Sequence, residues 1–363
     1  MILISLQIEN HKALVEEGAL PLLISLSSCP DEEIRQFAAF ALVKVGQNAE
    51  IRRRITEEGG LEPVLFLSRT AVDDEELVKG GEPPIIFKEV LPALATLSFA
   101  EANKVEIARN GGLRPILYMA SCGDPDYERQ ACCALANLAE IIDNQPRLVE
   151  NGCIEPMVNG LISPSIDVRR EAARCLANLA TNNEYADKIV SFDVIEPLIT
   201  LLRSNHKGCE RMAAMCLANL ATNVKHQTLV CRALEPILTL AKRALTPKSD
   251  SDAETERYAL LAIANISCKN DNHLAVLTTA LDTVIGFSKS RDVRCRQHAI
   301  FVLGNLASNK DNLELLVSHG CIPPIISFAF PGTADVQVNL TCFLNRCDFQ
   351  PIFSIAQYFY HTV

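Results

Sequence analysis

The chain has 363 residues, 48% of them hydrophobic but only 6% aromatic, and its formal net charge at pH 7 is −10. This charge excludes the broad basic surface of a typical nucleic-acid-binding protein, and every apolar run is too short for a transmembrane helix. The fourteen cysteines include no CxxC pair and the seven histidines are scattered, so a zinc site is not expected and the thiols are expected to be reduced.

Residues 1–9, at the start of the chain, are predicted to be the remnant of a preceding repeat. Aligning HKALVEEG from His11 with RLVENG from Arg147 places Leu3 at a position that later repeats fill with Asn. The start MILISL has no basic segment, so it is not expected to be a signal peptide.

A Pro-containing element then recurs along the chain. It reads GALPLLISL from Gly18, GGLEPVLFL from Gly59, GGLRPILYM from Gly111 and GCIEPMVNGL from Gly152, with later copies ending at GCIPPIISF from Gly320. Pro is tolerated in the first turn of a helix, and Gly suits the position that ends the helix before it. In the copy TALDTVIGF, from Thr279, Thr takes the place of Pro. Each unit is therefore predicted to contain a short helix, a Gly turn and a Pro-initiated second helix.

A longer Ala-rich element follows each Pro-containing one. It reads ACCALANLAE from Ala131 and returns as EAARCLANLAT from Glu171 and MAAMCLANLAT from Met212, with weaker copies from Leu260 and Ile300. Its shared Asn recurs after steps of 41, 41, 46 and 40 residues. Self-similarity at this period is typical of a helical solenoid in which each unit packs on its neighbours. The predicted repeats are residues 10–47, 48–100, 101–142, 143–182, 183–223, 224–269, 270–309 and 310–345.

Two insertions and a tail interrupt the period. Residues 70–84 and 246–254 are predicted to be loops between second and third helices, with either a passive role or a role in partner contact. Residues 346–363 leave the repeat pattern and are rich in Phe and Tyr. They are interpreted either as a hydrophobic cap or as a tail from mis-joined sequence.

Together these motifs resemble the armadillo repeat, as in NKVEIARNGGLRPILYM from Asn103 running on to ACCALANLA. The resemblance implies an all-α fold, a right-handed superhelical α-solenoid of about eight armadillo repeats. Within the family, the chain most resembles the vacuolar armadillo scaffold group and the β-catenin-type cytoplasmic adaptors.

The resemblance also implies a peptide-binding groove lined by the third helices, in which the repeated Asn clamps the backbone of an extended ligand. An amide offers both a donor and an acceptor, which match the two groups of a peptide unit. The alternative is that these Asn side chains only link neighbouring repeats. This Asn ladder comprises Asn137, Asn178, Asn219, Asn265 and Asn305, while repeats one and two hold Lys44 and Thr96 at its position.

Importin-α proteins carry a Trp four residues before this Asn, but the chain contains no Trp. The equivalent positions here hold Cys133, Arg174, Met215, Leu261 and Phe301. A basic ligand would lose its aromatic walls and their cation–π attraction, which disfavours nuclear-import cargo.

Basic residues recur eight positions before the Asn, about two helical turns away. Such a row would suit carboxylates of an acidic ligand, although exposed ion pairs with nearby Asp and Glu are the alternative. This basic ladder comprises Arg129, Arg170, Arg211, Arg257 and, in repeat two, Lys88.

No set of residues predicts catalysis or a cofactor. The sequence therefore predicts a cytoplasmic scaffold or adaptor that is not an enzyme and binds extended, including acidic, segments of other proteins. The alternative locations are the nucleus and a membrane surface to which partners attach the protein. The alternatives are a nuclear-transport adaptor of the importin-α type and the substrate-recognition part of a larger protein such as a ubiquitin ligase. Neither the partner nor the oligomeric state follows from the sequence.

Overall fold

A computed structural model describes residues 8–46, 49–70, 85–245 and 252–321 of the chain. Every regular element in these ranges is helical and none is a β-strand. The all-α class predicted from the repeats is therefore confirmed. The predicted 1–9 remnant falls mostly outside the described residues, as do the 70–84 insertion, most of the 246–254 insertion and the 346–363 tail.

The longest elements in most repeats are the Ala-rich third helices. Several begin at a side chain that caps the free backbone N–H groups of the first turn, such as Asp31, Asp124, Ser165 and Asp292. The third helices are α3 (Glu32–Val45), α6 (Ile85–Leu97), α9 (Pro125–Ala139), α12 (Ile166–Leu179), α15 (Lys207–Leu220), α18 (Ala253–Ile266) and α20 (Val293–Ala307).

Shorter first and second helices precede each third helix. The first helices are α1 (Ile8–Glu16), α4 (Ala49–Glu57), α7 (Glu101–Arg109), α10 (Gln145–Glu150), α13 (Asn183–Val190), α16 (Gln227–Val230) and α21 (Leu313–Ser318). The second helices are α2 (Ala19–Leu26), α5 (Leu61–Thr70), α8 (Leu113–Met119), α11 (Ile154–Gly160), α14 (Ile195–Leu202) and α17 (Leu234–Ala244). Both insertions fall between a second and a third helix, as predicted.

The turn between first and second helices has the left-handed backbone that the Gly pattern predicts. Gly18, Gly59, Gly111 and Gly152 have φ values of 80° to 89° there, a region open to Gly at no steric cost. Asp193 takes the equivalent place with φ 52°.

Repeat seven differs from the prediction. It has neither the turn Gly nor the Pro, because Thr283 stands in the Pro position. With no residue to stop the helix, the first and second helices run on as one element, α19 (His273–Phe287).

The chain divides into two compact units, Met1–Phe192 and Asp193–Val363. In each unit, neighbouring third helices pack directly on each other, α9 on α12 in the first and α15 on α18 and α18 on α20 in the second. Their Ala, Leu and Cys side chains form the buried core, exemplified by Leu135, Ala172, Cys216 and Ala262, which are fully buried. Small side chains allow helices to approach closely at every repeat.

A second set of Asn side chains, whose role the repeat pattern alone did not predict, caps the C-terminal ends of the third helices. Each lies seven residues after an Asn-ladder position and donates its amide to a carbonyl at the C-terminal end of the third helix, at 2.8–3.2 Å. These amides satisfy carbonyls that have no partner within the helix. The residues are Asn103, Asn144, Asn272 and Asn312.

Candidate functional site: the third-helix stripe

One face of each third helix stays partly open. We define the third-helix stripe as the Asn-ladder residue together with the residues four, seven and eight positions before it. In α9, α12, α15, α18 and α20 all of these positions are exposed or half-exposed except Asn137, Glu171 and Asn305. The predicted ligand-binding residues of α9 to α20 are therefore on a shared face of their helices.

The Asn ladder links neighbouring repeats. In three members the Nδ2 group donates to the carbonyl of the residue just before the preceding Asn. Asn178 reaches Ala136 O at 3.2 Å, Asn265 reaches Ala218 O at 2.9 Å, and Asn305 reaches Ala264 O at 3.3 Å. Both units therefore contain Asn side chains that link neighbouring repeats, which is the alternative role considered for the ladder.

Two members of the ladder are buried, and each has at least two hydrogen-bond partners within the protein. Asn137 donates to Ser98 Oγ at 3.1 Å and accepts from Arg174 Nη2 at 2.7 Å. Asn305 donates to Ser267 Oγ at 2.9 Å as well as to the Ala264 carbonyl. Their amides have little left to offer a ligand.

Asn178 and Asn265 are different because both are half-exposed and donate one hydrogen bond each. Among the described residues no other group bonds to either side-chain amide. An Oδ1 acceptor and a second N–H hydrogen therefore remain at the surface. Asn219 lies at the same register in α15 and is also half-exposed.

Arg174 is the centre of a hydrogen-bond network in the stripe of the first unit. Its guanidinium donates to Glu171 Oε2 at 2.8 Å and to Glu140 Oε1 at 2.6 Å, besides its bond to Asn137. Glu140 also accepts from Lys104 Nζ at 2.7 Å. Burial acts to lower the pKa of Lys104, but its carboxylate partners, Glu101 and Glu140, outweigh it and hold that pKa above its usual value. The network therefore stays charged, and because Asn137 also bonds to Ser98 it joins repeats two, three and four.

The basic ladder is largely paired within the protein. Arg211 Nη1 lies 3.4 Å from Asp252 Oδ2, and Arg257 Nη2 lies 2.6 Å from Asp292 Oδ2. Each of these aspartates sits at the start of the next third helix, so both ion pairs bridge repeats. The hydrogen bond from Arg257 lowers the pKa of Asp292 to about 2.

The remaining members of the basic ladder have other surroundings. Arg170 pairs within its own helix, with Asp167 at 2.7 Å and Glu171 at 3.0 Å. Arg129 is exposed, with no hydrogen bond or ion pair among the described residues. Lys88 lies in α6, and its side chain is outside the described part of the structure.

Seven of the twelve described cysteines are buried core residues. Burial raises the pKa of the Cys295 thiol to about 12. The hydrogen bond with the Cys153 thiol, together with burial, raises the pKa of Cys175. A raised pKa keeps the thiol protonated and unreactive.

Among the described residues no group of His, Cys, Asp and Glu is arranged to hold a metal ion. None of the helices in these ranges combines the length and the apolar character that spanning a membrane requires.

Comparison with known proteins places this geometry in a fold family. Residues 142–181 match the model of the Armadillo/beta-catenin-like repeat. A curated relative, importin subunit alpha-1b of Oryza sativa subsp. japonica, is 33% identical over 99 residues, and the match covers 24% of this chain and 18% of the relative. The match therefore spans less than a fifth of that relative's length.

Several solved structures share the fold. An engineered protein superposes with a TM-score of 0.74 at 24% identity over 96% of this chain and 93% of its own. A designed armadillo repeat protein in complex with the peptide (KR)4 has a TM-score of 0.57 at 21% identity, over 67% of this chain and 99% of its own. Designed armadillo repeat proteins for modular peptide recognition reach 0.56 at 23% identity, over 63% and 97%. At these identities the likeness concerns the fold.

Proposed function

We propose that this armadillo-repeat protein is a protein-binding scaffold that holds extended segments of partner proteins along its third-helix stripe. The fold supports this proposal, since two of the similar designed proteins are described by the peptide they bind or are made to recognise. The narrower resemblance to vacuolar scaffolds, the adaptor role and the cytoplasmic location stay predictions.

The proposal rests on the hydrogen-bonding groups that Asn178 and Asn265 leave unused at the surface. Each uses one N–H to fix its orientation on the neighbouring repeat. The remaining N–H and Oδ1 match the carbonyl and N–H of a passing peptide unit. Structural and ligand-binding uses of the ladder thus coexist on the same amide, and an orientation fixed before binding reduces the entropic cost of the contact.

The basic ladder offers few free cations to an acidic partner. In the first unit, Arg129 is exposed and available to a carboxylate, whereas Arg170 already has two carboxylate partners. In the second unit, Arg211 and Arg257 are occupied by Asp252 and Asp292. An acidic preference therefore rests on fewer members of the basic ladder than the sequence predicts.

A nuclear-transport adaptor is the second candidate, favoured by the importin-α relative. The stripe argues against it, because Arg174 occupies one of the positions where an indole would be needed and holds the acceptor of Asn137. A Lys- and Arg-rich peptide would meet a cation there instead of an aromatic wall.

Selection of binders from a random 12-residue peptide library, displayed on phage and captured on the immobilised full chain, tests the proposal. Selected peptides should bind the unchanged protein and bind Asn178→Ala or Asn265→Ala about tenfold more weakly, since each change removes a main-chain hydrogen-bonding site. Asn151→Ala is the matched control, because the exposed amide of Asn151, just after the end of α10, bonds only to the carbonyl of Arg147 in that helix, at 2.8 Å.

Enrichment of no peptide, or equal binding by all three variants, would contradict the proposal. Enrichment dominated by Lys and Arg would instead support the transport adaptor.

A further inference from the structure

The first turn of α20 departs from the charge pattern of the other third helices. Eleven residues before the Asn-ladder position, α9, α12 and α18 carry an acid, namely Asp126, Asp167 and Glu254, and α15 carries Gly. In α20 this position holds Arg294. The charge at this register is reversed in one helix.

Because α20 carries Arg294 in place of an acid, it lacks the acid–arginine pair that two other third helices form in their first turns. In α12 and α18 the acid pairs with the basic-ladder residue three positions later, Asp167 with Arg170 at 2.7 Å and Glu254 with Arg257 at 3.6 Å. In α20 that later position is Gln297, so no pair of this kind forms there. The nearby Asp292 is already held by Arg257 at 2.6 Å.

Arg294 is consequently an exposed cation with no hydrogen bond or ion pair among the described residues. Lys289 and Arg291, in the turn before α20, are exposed as well. Neither of them has an ion pair within the described ranges. The three side chains concentrate uncompensated positive charge at this end of the helix.

The position of Arg294 connects this charge to the stripe. Residues 294, 298, 301 and 305 are spaced by four, three and four, which places Arg294 on the same face of α20 as Phe301 and Asn305. Burial and the charge of Arg294 both lower the pKa of His298, and Arg294 also acts on the hydroxyl of Tyr258 in α18. The guanidinium is therefore within electrostatic reach of two half-exposed stripe residues.

We propose that Arg294, assisted by Lys289 and Arg291, is an anchoring site for a carboxylate of an acidic partner segment bound along the stripe of the second unit. This inference rests on the proposed function. It adds that the partner segment is acidic and that Arg294 is the residue that binds its carboxylate. Positive charge without an internal partner complements an Asp or Glu side chain. The neighbouring Leu261 and Phe301 are half-exposed and suit apolar side chains next to that acid.

Three fluorescein-labelled 12-residue peptides test the site on the full chain by fluorescence anisotropy. Each contains four Leu and four Ser, and the other four positions hold Glu, Ser or Lys. The Glu peptide should bind about tenfold more tightly than the Ser peptide at low ionic strength. Raising NaCl from about 0.05 M to about 0.3 M should remove most of that advantage, because salt screens exposed charges.

Variants assign the effect to the side chain. Arg294→Gln should abolish the preference for Glu, and Arg294→Glu should reverse it in favour of Lys. Lys310→Glu is the matched control, since Lys310 is exposed beyond the opposite end of α20 and makes no ion pair within the described ranges. That variant should keep the preference. Far-UV circular dichroism verifies that each variant retains its helix content.

The outcomes separate this inference from the proposed function. Equal affinity for the Glu and Ser peptides, or a Glu preference that survives Arg294→Glu, would overturn the inference while Asn265-dependent binding of peptides still supports the scaffold. Loss of binding to phosphatidylserine vesicles in Arg294→Glu, with no Glu-peptide preference in the unchanged protein, would assign the cations to a membrane surface and overturn the inference too. Binding of no peptide, here or in the random selection, would refute both.

Discussion

Replacing Arg174 by Met should destabilise the first unit strongly. The Arg174 side chain is 21% exposed and that of Glu171 is 10% exposed. The substitution leaves the Glu171 carboxylate with Arg170 as its remaining cation and removes the group that donates to Asn137 Oδ1. Met has a similar length and fills the apolar part of the space, so the loss is mainly electrostatic.

The magnitude follows from the groups left behind. Hydrogen bonds to charged groups contribute about 1.5–3 kcal/mol each, and breaking a buried ion pair costs about 3–5 kcal/mol. Glu171 keeps Arg170, and Glu140 keeps Lys104 and is 40% exposed, which reduces the cost. We therefore expect the free energy of unfolding to fall by about 2–3 kcal/mol.

Urea unfolding followed by far-UV circular dichroism measures this change. Hydrogen exchange of amides in the first unit identifies which part of the unfolding curve belongs to that unit. Arg232→Met is the matched control, because Arg232 also pairs with a glutamate of another helix, Glu196, but the two side chains are 55% and 60% exposed. That pair should contribute less than about 1 kcal/mol. The double variant Arg174→Met with Glu171→Leu should recover much of the loss, since no unpaired carboxylate remains.

Equal effects of Arg174→Met and Arg232→Met would refute this reasoning, because burial and the shared network would then make no difference. A double variant less stable than Arg174→Met alone would refute the view that the stranded carboxylate is the main cost.

Three further predictions concern the ladder and the titrating groups. Asn305→Ala should lower the free energy of unfolding by about 1–3 kcal/mol and Asn265→Ala by less than about 1 kcal/mol in urea titrations, because only Asn305 is buried with several partners; equal losses would contradict this. Asp292→Asn should lower the free energy of unfolding by about 1–2 kcal/mol near neutral pH. Because the pKa of Asp292 in the folded protein is depressed to about 2, the carboxylate stabilises the protein fully above its unfolded pKa, and this stabilisation is lost as pH falls through about 2. His273 donates from Nε2 to Ser267 O and accepts at Nδ1 from Asn312, and burial lowers its pKa below 6.5. Its contribution should therefore be complete above the unfolded pKa and decline as pH falls through the folded one, and a pH series of unfolding should be flatter for His273→Gln than for the unchanged protein.

The sequence by itself determined the fold because the signals that define it are local. Pro near the start of a helix, Gly in a left-handed turn and a small apolar face are each encoded within one repeat and recur with its period. The same logic explains the fused helix α19, where Thr283 replaces Pro and the turn Gly is missing. The register of Asn137, Asn178, Asn219, Asn265 and Asn305 could likewise be predicted from spacing alone.

Only the tertiary structure decided what those polar side chains do. The partners of Arg174 include Asn137, which is 37 residues away in the chain, and those of Arg257 include Asp292, which is 35 residues away. Such pairs form across neighbouring repeats. The sequence alone suggests only the acids three positions away on the same helix, Glu171 and Glu254, which also pair with these two arginines. The packing of adjacent third helices sets these distances, so it engages Asn137 and Asn305 within the protein and leaves the amides of Asn178 and Asn265, and the charge of Arg294, at the surface.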